Sequence, residues 1–402
     1  MSEFKKKQRV RAGISLTQTD FSICCDPGDL HGKGLKRGNW SFATHNILNS
    51  WLKYFQESQD ADSQVAVFDF DNTCIYRDVG KIVFRYQLEN LQFRLTPLQF
   101  ATLFPDNIET IKGISFTAVR ERLEELYTLL FPFMNEVQRE KVVHCAEYIE
   151  FVGLLSWYCE AARREEGLGP LYSLPLFAQF LAGYTTEEVA DLTCHAIMNA
   201  LYEPIGVRVK QVRCCEGIGT LTIRDKTGIR VQQEILDLMN QLRYIGIRCC
   251  IVSASAEWIV KATAIFFDFP VKEQDVFGIR LQLDSGEKLT TDSPDDYPVT
   301  YRAGKVDIIN EIIKKPPVLV AGDAITDFEM LHLPMVPLRL LINHNKSGLI
   351  STLYNDPRFL VQGLDKKTGA FRACKETLER PESRSCPSSI QSASQSPFAN
   401  AA

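Results

Sequence analysis

The stretch Val65-Ala66-Val67-Phe68-Asp69-Phe70-Asp71-Asn72-Thr73 decides the expected fold and the expected site. Its short apolar run, followed by two carboxylates one residue apart, is typical of a buried parallel strand that ends at the edge of its sheet. Side chains two positions apart leave a strand on the same face, so Asp69 and Asp71 should project together. Ligands of open α/β sheets bind at this carboxyl edge. Paired carboxylates there need a cation or a shared proton, which favours a catalytic role.

A second stretch, Ile251-Val252-Ser253-Ala254-Ser255-Ala256, predicts a strand that ends at Ser253 shortly before a helix. Free backbone N–H groups at a helix start, together with the Ser253 hydroxyl, suit a phosphate oxygen. An equally favoured alternative is that Ser253 and Ser255 only cap the helix.

Two further stretches carry polar groups in similar positions. Lys305 is expected at a helix start, where a lysine is unfavourable against the helix dipole unless an anion lies nearby. The apolar residues 318–321 run into Gly322-Asp323, and Asp327 follows four residues after Asp323. Carboxylates crowded at a strand end predict a hard cation such as Mg²⁺, although capping of a helix would explain Asp323 alone.

Strand and helix patterns alternate outside one long interval, which predicts an α/β fold with a doubly wound, Rossmann-like parallel sheet. The interval from Asp69 to Ser253 far exceeds the dozen or so residues that a direct crossover needs. Its pattern is mainly helical, so we expect a large helical cap inserted at residues 80–225. The predicted core comprises residues 41–79 and 226–370, in which residues 276–283 and 287–291 are expected to form a hairpin. Residues 1–40 are expected to be weakly ordered, and residues 371–402 to form a disordered tail.

The chain has 402 residues, is 45% hydrophobic and carries a formal net charge of −5. This composition allows a large core and offers no basic field that would predict nucleic acid as a partner. The 12 cysteines show no C-x-x-C clamp, so no zinc framework is predicted. No apolar run approaches the roughly 20 residues of a membrane span. Because polar residues follow Lys5-Lys6-Lys7, no secretory signal is predicted, and we expect a cytoplasmic location.

The four stretches together resemble the motifs of the haloacid dehalogenase superfamily of aspartate-nucleophile phosphatases. The family motifs are D-x-D-x-T, a strand ending in Ser or Thr, a Lys, and G-D-x(3)-D. The Ser-Ala-Ser sequence at 253–255, the run at 275–281 and the helical insert resemble the phosphoserine phosphatase-like branch. Within that branch, the residues around Asp71, Lys305 and Asp323 look most like bacterial phosphorylcholine phosphatases.

The resemblance implies a Mg²⁺-dependent phosphomonoester hydrolase that forms an aspartyl-phosphate. It implies that Asp69 is the nucleophile and Asp71 the general acid and base. It also implies that the phosphoryl group is bound by Thr73, Ser253, Ala254 and Lys305. The implied metal ligands are Asp69, the backbone carbonyl of Asp71, Asp323 and Asp327. The alternative role for Asp327 is to orient the metal ligands or Lys305.

The expected substrate is a small phosphorylated metabolite such as phosphocholine or phosphoserine. Asp78 lies nine residues after Asp69, the spacing at which phosphoserine phosphatases place a Glu that binds the substrate amine, so Asp78 is a candidate for an ammonium group. An exposed loop Asp is the alternative for this residue. A phosphoprotein phosphatase of the same chemistry and a non-catalytic binding protein on this scaffold are the competing functions, and the oligomeric state is open.

Overall fold

The structure is a computed structural model that describes residues 34–57, 64–134, 136–165 and 167–379. Its strands are β1 (Val65–Phe68), β2 (Ile75–Tyr76), β3 (Thr110–Ile111), β4 (Ile114–Ser115), β5 (Gly206–Arg213), β6 (Thr220–Thr227), β7 (Arg230–Val231), β8 (Arg248–Ala256), β9 (Val276–Ile279), β10 (Leu319–Gly322), β11 (Leu338–Asn343) and β12 (Leu360–Gly363). Its α-helices are α1 (Phe42–Glu57), α2 (Val79–Glu89), α3 (Pro97–Ala101), α4 (Phe116–Leu130), α5 (Glu136–Arg139), α6 (Ala146–Ala162), α7 (Gly169–Gln179), α8 (Thr186–Tyr202), α9 (Gln233–Tyr244), α10 (Glu257–Phe266), α11 (Ala303–Asp307) and α12 (Phe328–Leu331).

Six of these strands form one sheet in the order β12-β11-β10-β1-β8-β9. Every neighbouring pair in this sheet is parallel. Strand β1 lies between β8 and β10, so the chain order reverses across it, and such a reversal opens a crevice at the carboxyl edge. The end of β1 at Phe68 lies level with Ile251 of β8 and with Ala321, the last residue but one of β10. The predicted α/β fold with a parallel central sheet is therefore confirmed.

The sheet is buried on both faces, as its continuous apolar strands require. Ala66 and Phe68 of β1 belong to one buried cluster, which includes residues of α9 and α10. Val65 and Val67 point the opposite way, into a second cluster with Ile308 and other residues around α11 and α12. Alternate side chains of β1 therefore pack into buried clusters on opposite faces of the sheet, and Asp69 follows directly after this strand.

A third buried cluster lies within the inserted residues and draws on α4, α6 and the strands β5 and β6. These two strands form an antiparallel hairpin, so the expectation that residues 80–225 are mainly helical misses a β element. Their alternating polar and apolar residues show the period of two that a half-buried strand requires. Gly153 of α6 lets the hairpin approach closely, because a Cβ there would lie 2.6 Å from a side-chain carbon of Val212.

The insert is not detached from the sheet. Helices α2 and α8 contribute Val83 and Ile197 to the same buried cluster as the central strands. Since α8 also packs against α10, part of the interval 80–225 shares the core that covers the sheet.

The sequence predicted a weakly ordered segment up to residue 40 and a disordered tail from residue 371. Both predictions include residues that belong to the folded structure. Residues 1–33 and 380–402 lie outside the described residues, but 34–40 and 371–379 are described. Trp40 is fully buried, and its ring lies 5.3 Å from that of Phe371 in an edge-to-face contact. Burial of these two large apolar side chains ties both segments to the core.

The hairpin predicted at residues 276–291 is also wrong in part. Val276–Ile279 is the edge strand β9, parallel to β8. The antiparallel pairing is confined to residues 282–292, where a bridge joins Leu283 to Leu289, the Asp284 N–H donates to the Lys288 carbonyl at 2.8 Å and the Thr290 N–H donates to the Gln282 carbonyl at 2.9 Å. None of the helices in the described part of the chain combines the length and apolarity that a bilayer crossing requires.

Replacing Phe371 with Ala should lower the free energy of unfolding by about 3 kcal/mol, because the substitution removes a buried ring and leaves a cavity beside Trp40. Urea unfolding monitored by circular dichroism measures this change. Leu378→Ala is the matched control, since Leu378 is 50% exposed and its loss should change stability by less than about 0.5 kcal/mol. Equal stability of Phe371→Ala and the natural chain would show that residues 371–379 are not part of the fold.

Candidate functional site

The chain turns sharply after β1 and exposes Asp69 at the edge of the sheet. The Asp69 N–H continues the strand ladder by donating to the Ala321 carbonyl at 2.9 Å. Asn72 then adopts a positive φ of 64°, a conformation that Asn tolerates better than most residues. The turn brings Thr73 back, and its hydroxyl donates to Asp69 Oδ2 at 2.9 Å. One side of the Asp69 carboxylate is thus oriented by its own loop.

The buried ammonium of Lys305 joins two distant carboxylates. Its Nζ donates to Asp69 Oδ1 at 2.6 Å and to Asp327 Oδ1 at 2.7 Å, and its side chain is fully buried. The preceding residue, Gly304, packs directly against the Val299 carbonyl, because a Cβ there would lie 1.9 Å from that oxygen. Burial opposes the charged form of Lys305, but the two carboxylates outweigh it and raise its pKa above the usual range. Lys305 is therefore a charged lysine held against the predicted nucleophile.

Asp327 connects Lys305 to the end of β10. Its Oδ2 accepts hydrogen bonds from the backbone N–H groups of Asp323 at 2.9 Å and Ala324 at 3.0 Å. Carboxylate oxygens of Asp69, Asp323 and Asp327 all lie within 4.8 Å of one another, and all three residues are buried. The structure therefore brings together Asp69, Lys305, Asp323 and Asp327, which come from three separate stretches of the sequence.

Crowding of buried carboxylates disfavours their charged forms. Burial, then repulsion from Asp327, raises the pKa of Asp69 to about 7, although Lys305 opposes the rise. Burial also raises the pKa of Asp323, against the attraction of Lys346. A divalent cation bound to this cluster would relieve the repulsion, and hard carboxylate oxygens are the ligands that Mg²⁺ prefers. The residues present therefore fit a magnesium ion.

Asp71 is held apart from this acidic cluster. Its carboxylate accepts hydrogen bonds from the Val79 N–H at 2.7 Å and from the hydroxyls of Ser255 at 2.6 Å and Ser253 at 3.3 Å. Burial, then the negative charge of Asp78, raises its pKa well above the usual range. Asp71 can therefore hold a proton near neutral pH, as a general acid must. The role expected for its backbone carbonyl at the metal stays a prediction.

The second stretch differs from its expected form. Strand β8 continues to Ala256 with an irregularity after Val252, so the prediction that it ends at Ser253 is wrong. The capping alternative is also wrong, because the residue before α10 is Ala256 and no side chain caps that helix. The Ser253 side chain is buried and contacts Asp71, while Ala254 and Ser255 line the cleft in front of the carboxylates.

Asp78 lines the same cleft and also begins a helix. One of its oxygens accepts the Lys81 N–H at 3.0 Å as the N-cap of α2. Such a contact stabilises the helix by about 1 kcal/mol. The proposed ammonium role of Asp78 thus competes with a structural role that is visible in the fold.

Sequence reasoning missed the residues that follow β11. Lys346 forms an ion pair with Asp323 Oδ2. The Nε2 of His344 lies 2.8 Å from the Asn72 carbonyl oxygen and must donate to it. Burial, then the charge of Lys346, lowers the pKa of His344 well below its usual value, so this ring is neutral. The sequence contains a pattern that could have indicated these residues. The mostly apolar residues 338–342 are followed by the polar residues 343–346, just as the apolar strands before Asp69 and Asp323 are followed by carboxylates.

A cleft lies between the carboxyl edge of the sheet and the insert. The sheet contributes Asp69, Asp71 and Asp323, and the insert contributes Lys81, Arg163, Leu174 and Phe177. The predicted nucleophile and acid therefore face a confined space that is closed in part by side chains of α7.

Comparison with known proteins gives an extensive structural match. The solved structure of a conserved protein of unknown function from Anaerococcus prevotii DSM 20548 is 28% identical to this chain, with a TM-score of 0.77, and the match covers 87% of this chain and 99% of that one. The two proteins share this architecture over nearly the whole length of the Anaerococcus chain.

Two other structures are more distant. A phosphoserine phosphohydrolase-like protein from Francisella tularensis subsp. tularensis SCHU S4 is 11% identical, with a TM-score of 0.33 and coverage of 69% of this chain and 87% of that one. A substrate-bound phosphoserine phosphatase complex is 13% identical, with a TM-score of 0.30 and coverage of 69% and 85%. No family model and no curated protein matches the chain.

Replacing Lys305 with Met should lower the free energy of unfolding by about 3 to 5 kcal/mol at pH 8, because the substitution leaves buried carboxylates without their cation. The pKa of Asp69 should rise further, so the folded variant binds protons that an unfolded Asp, with a pKa near 3.9, releases. Stability of the variant should therefore fall as the pH rises through the interval between these two pKa values, and the deficit should be smaller at pH 5 than at pH 8.

Urea unfolding in metal-free buffer at both pH values measures the effect of Lys305→Met. Lys53→Met is the control, because Lys53 is exposed on α1 and should show little change at either pH. A Lys305→Met deficit that does not depend on pH would contradict the proposed charge coupling.

Proposed function

We propose that this protein is a Mg²⁺-dependent phosphomonoester hydrolase that works through an aspartyl-phosphate on Asp69, with the chemistry of the haloacid dehalogenase superfamily. One observation carries the proposal: the Lys305 ammonium bridges Asp69 and Asp327 beside Asp323 at the switch point of the sheet. This arrangement places an oriented carboxylate, a fixed cation and a metal-compatible cluster around one small space.

In the proposed first step, an oxygen of Asp69 attacks phosphorus. The bond between phosphorus and the ester oxygen breaks, and Asp71 transfers its proton to the leaving oxygen. In the second step, Asp71 takes a proton from water, the hydroxide attacks the phosphoryl group, and the bond to Asp69 breaks to release inorganic phosphate. The raised pKa of Asp71 supports its protonated start.

Asp69 and Asp323 are the carboxylates proposed to hold Mg²⁺, together with the backbone carbonyl of Asp71. When bound, the ion offsets negative charge on the transferring phosphoryl group. Asp327 is assigned a positioning role, since its two oxygens are already engaged by Lys305 and by the N–H groups of Asp323 and Ala324. It holds Lys305 in place for the nucleophile.

Thr73, Ser253, Lys305 and the backbone N–H of Ala254 are proposed to bind the phosphoryl oxygens. Lys305 is the strongest member of this set, because a buried charged donor stabilises charge that develops in a site shielded from water. The Thr73 hydroxyl donates to Asp69 Oδ2, and the Ser253 hydroxyl donates to Asp71 Oδ2 at 3.3 Å.

The cleft favours a small phosphorylated metabolite, such as phosphocholine or phosphoserine, over a phosphoprotein. Leu174 and Phe177 of the insert line the same cleft as the carboxylates, and a space shared in this way between sheet and insert suits a small molecule better than a folded chain. A non-catalytic binding protein would not need a second, proton-holding carboxylate beside Asp69, so the setting of Asp71 supports an enzyme.

Replacing Asp69 with Asn should abolish measurable hydrolysis of phosphomonoesters, because the amide is a far weaker nucleophile than the carboxylate. Release of inorganic phosphate from a phosphomonoester panel measures this loss. Chelation of Mg²⁺ should remove the activity of the natural chain, and added Mg²⁺ should restore it. Asp295→Asn, at an exposed position, is the matched control. Wild-type turnover by Asp69→Asn would eliminate the proposed nucleophile.

Replacing Asp71 with Asn should lower kcat/KM for an alkyl phosphate about a hundredfold or more, because the leaving alkoxide then receives no proton. The loss should be much smaller for p-nitrophenyl phosphate, whose leaving group is stable as an anion. Since hydrolysis of the aspartyl-phosphate also needs Asp71, the variant should release a burst of nitrophenolate and accumulate phosphorylated protein, which mass spectrometry detects. Equal losses for both substrates would argue against Asp71 as the acid.

A further inference from the structure

Basic side chains from three segments line the cleft. Lys81 comes from α2, Arg163 follows α6, and Lys346 follows β11, and all three line the cleft. Lys226, at the exposed end of β6, lies close enough to interact electrostatically with Lys81 and Lys346. This group, which we call the basic rim, is separate from Lys305 at the nucleophile.

The basic rim is only partly neutralised by the protein. Lys81 forms an ion pair with Glu160, and Lys346 forms one with Asp323. Among the residues that the structure describes, none forms an ion pair with Arg163 or Lys226. A guanidinium that lines a cleft without a carboxylate partner is available to a ligand, and Arg binds carboxylate and phosphate oxygens in a bidentate manner.

The electrostatic setting of neighbouring groups agrees with this geometry. Although Lys226 is exposed to solvent, loss of part of its hydration beside the cleft, followed by repulsion from Lys81, Arg77 and Lys346, lowers its pKa to about 8. Burial would raise the pKa of Glu160, but Lys81 and Arg163 outweigh it and lower that pKa. Both shifts indicate a positive potential on this side of the cleft.

Acidic groups offset that potential only in part. The carboxylates of Asp69 and Asp323 lie at the catalytic end, where Lys305 and the proposed Mg²⁺ offset their charge. The Asp71 carboxylate accepts hydrogen bonds from Val79 and Ser255, and one oxygen of Asp78 accepts the Lys81 N–H as the N-cap of α2. Lys81 is paired with Glu160 and Lys346 with Asp323, so a cationic group on a substrate would meet chiefly the Arg163 guanidinium on this side of the cleft.

We propose that the cleft selects phosphomonoesters that carry a second anionic group, a carboxylate or a second phosphoryl, which Lys81 and Arg163 bind at the basic rim. This inference rests on the proposed function, because the first phosphoryl group occupies the space between Asp69 and Lys305. It disfavours phosphocholine as the substrate and disfavours the ammonium role considered for Asp78.

Four phosphonates of one chain length test the inference without requiring turnover. Ethylphosphonate, 2-aminoethylphosphonate, 3-phosphonopropionate and ethane-1,2-diphosphonate share the phosphonate and differ in the charge of the second group. Their dissociation constants are measured by isothermal titration calorimetry at constant free Mg²⁺. At least one of the two probes with an anionic second group, 3-phosphonopropionate or ethane-1,2-diphosphonate, should bind about tenfold more tightly than ethylphosphonate. The cationic probe, 2-aminoethylphosphonate, should bind more weakly than ethylphosphonate. The tighter of the two anionic probes identifies carboxylate or phosphoryl as the second group.

Neighbouring arginines provide a matched pair of variants. Arg163→Met should reduce the preference for the better anionic probe over ethylphosphonate about tenfold. Arg164→Met should leave that preference within about twofold, because Arg164 is exposed and does not line the cleft. Arg163→Glu should improve binding of 2-aminoethylphosphonate relative to ethylphosphonate, a gain that misfolding cannot produce.

The outcomes separate this inference from the proposed function. Tightest binding of 2-aminoethylphosphonate, or equal binding of all four probes, would overturn the second-anion site even if phosphomonoesters are hydrolysed. Absence of binding by every probe would overturn it as well. The expected order of affinities without any phosphomonoesterase activity would keep the binding inference and reject the proposed catalysis.

Discussion

Burial of several carboxylates at one edge of a sheet is the constraint on which this structure depends. Asp69, Asp323 and Asp327 lie within reach of one ion, and without a cation their mutual repulsion and lost hydration would oppose folding. The Lys305 ammonium meets this requirement through two short hydrogen bonds. The protein thus retains an arrangement that is costly for stability and that, in the proposed function, binds a phosphoryl group; perturbed buried groups of this kind are typical of active sites.

The proposed acid is tied to the insert as well as to the sheet. Asp71 accepts one hydrogen bond from Val79, the first residue of α2, and another from Ser255 of β8. A movement of α2 relative to the sheet would therefore change the surroundings of Asp71. Since Lys81 of the same helix lines the cleft, substrate contact and placement of the acid depend on one structural element.

Local sequence patterns predicted the central sheet and most of the acidic site. They failed where contacts between distant residues determine the secondary structure or the order of a segment. The hairpin β5–β6 lies in an interval dominated by helical patterns, and it is stabilised by packing against α6. Trp40 and Phe371 sit in polar, glycine-containing segments that look weakly ordered, yet each buries the other. Strand β8 extends beyond its predicted end because its pairing with β9 resumes at Ala256. A single sequence does not show such pairing.

The sequence by itself determined that Asp69 and Asp71 follow a buried strand and that Asp323 follows another, because apolar runs and their ends are local features of the chain. Only the tertiary structure decided what surrounds them. Lys346 reaches Asp323, and Arg163 and Lys81 reach the cleft, through the path of a chain that brings distant segments together. Charge acts through space and falls off with distance, so the potential that selects a substrate depends on that convergence and cannot be read from spacing along the sequence.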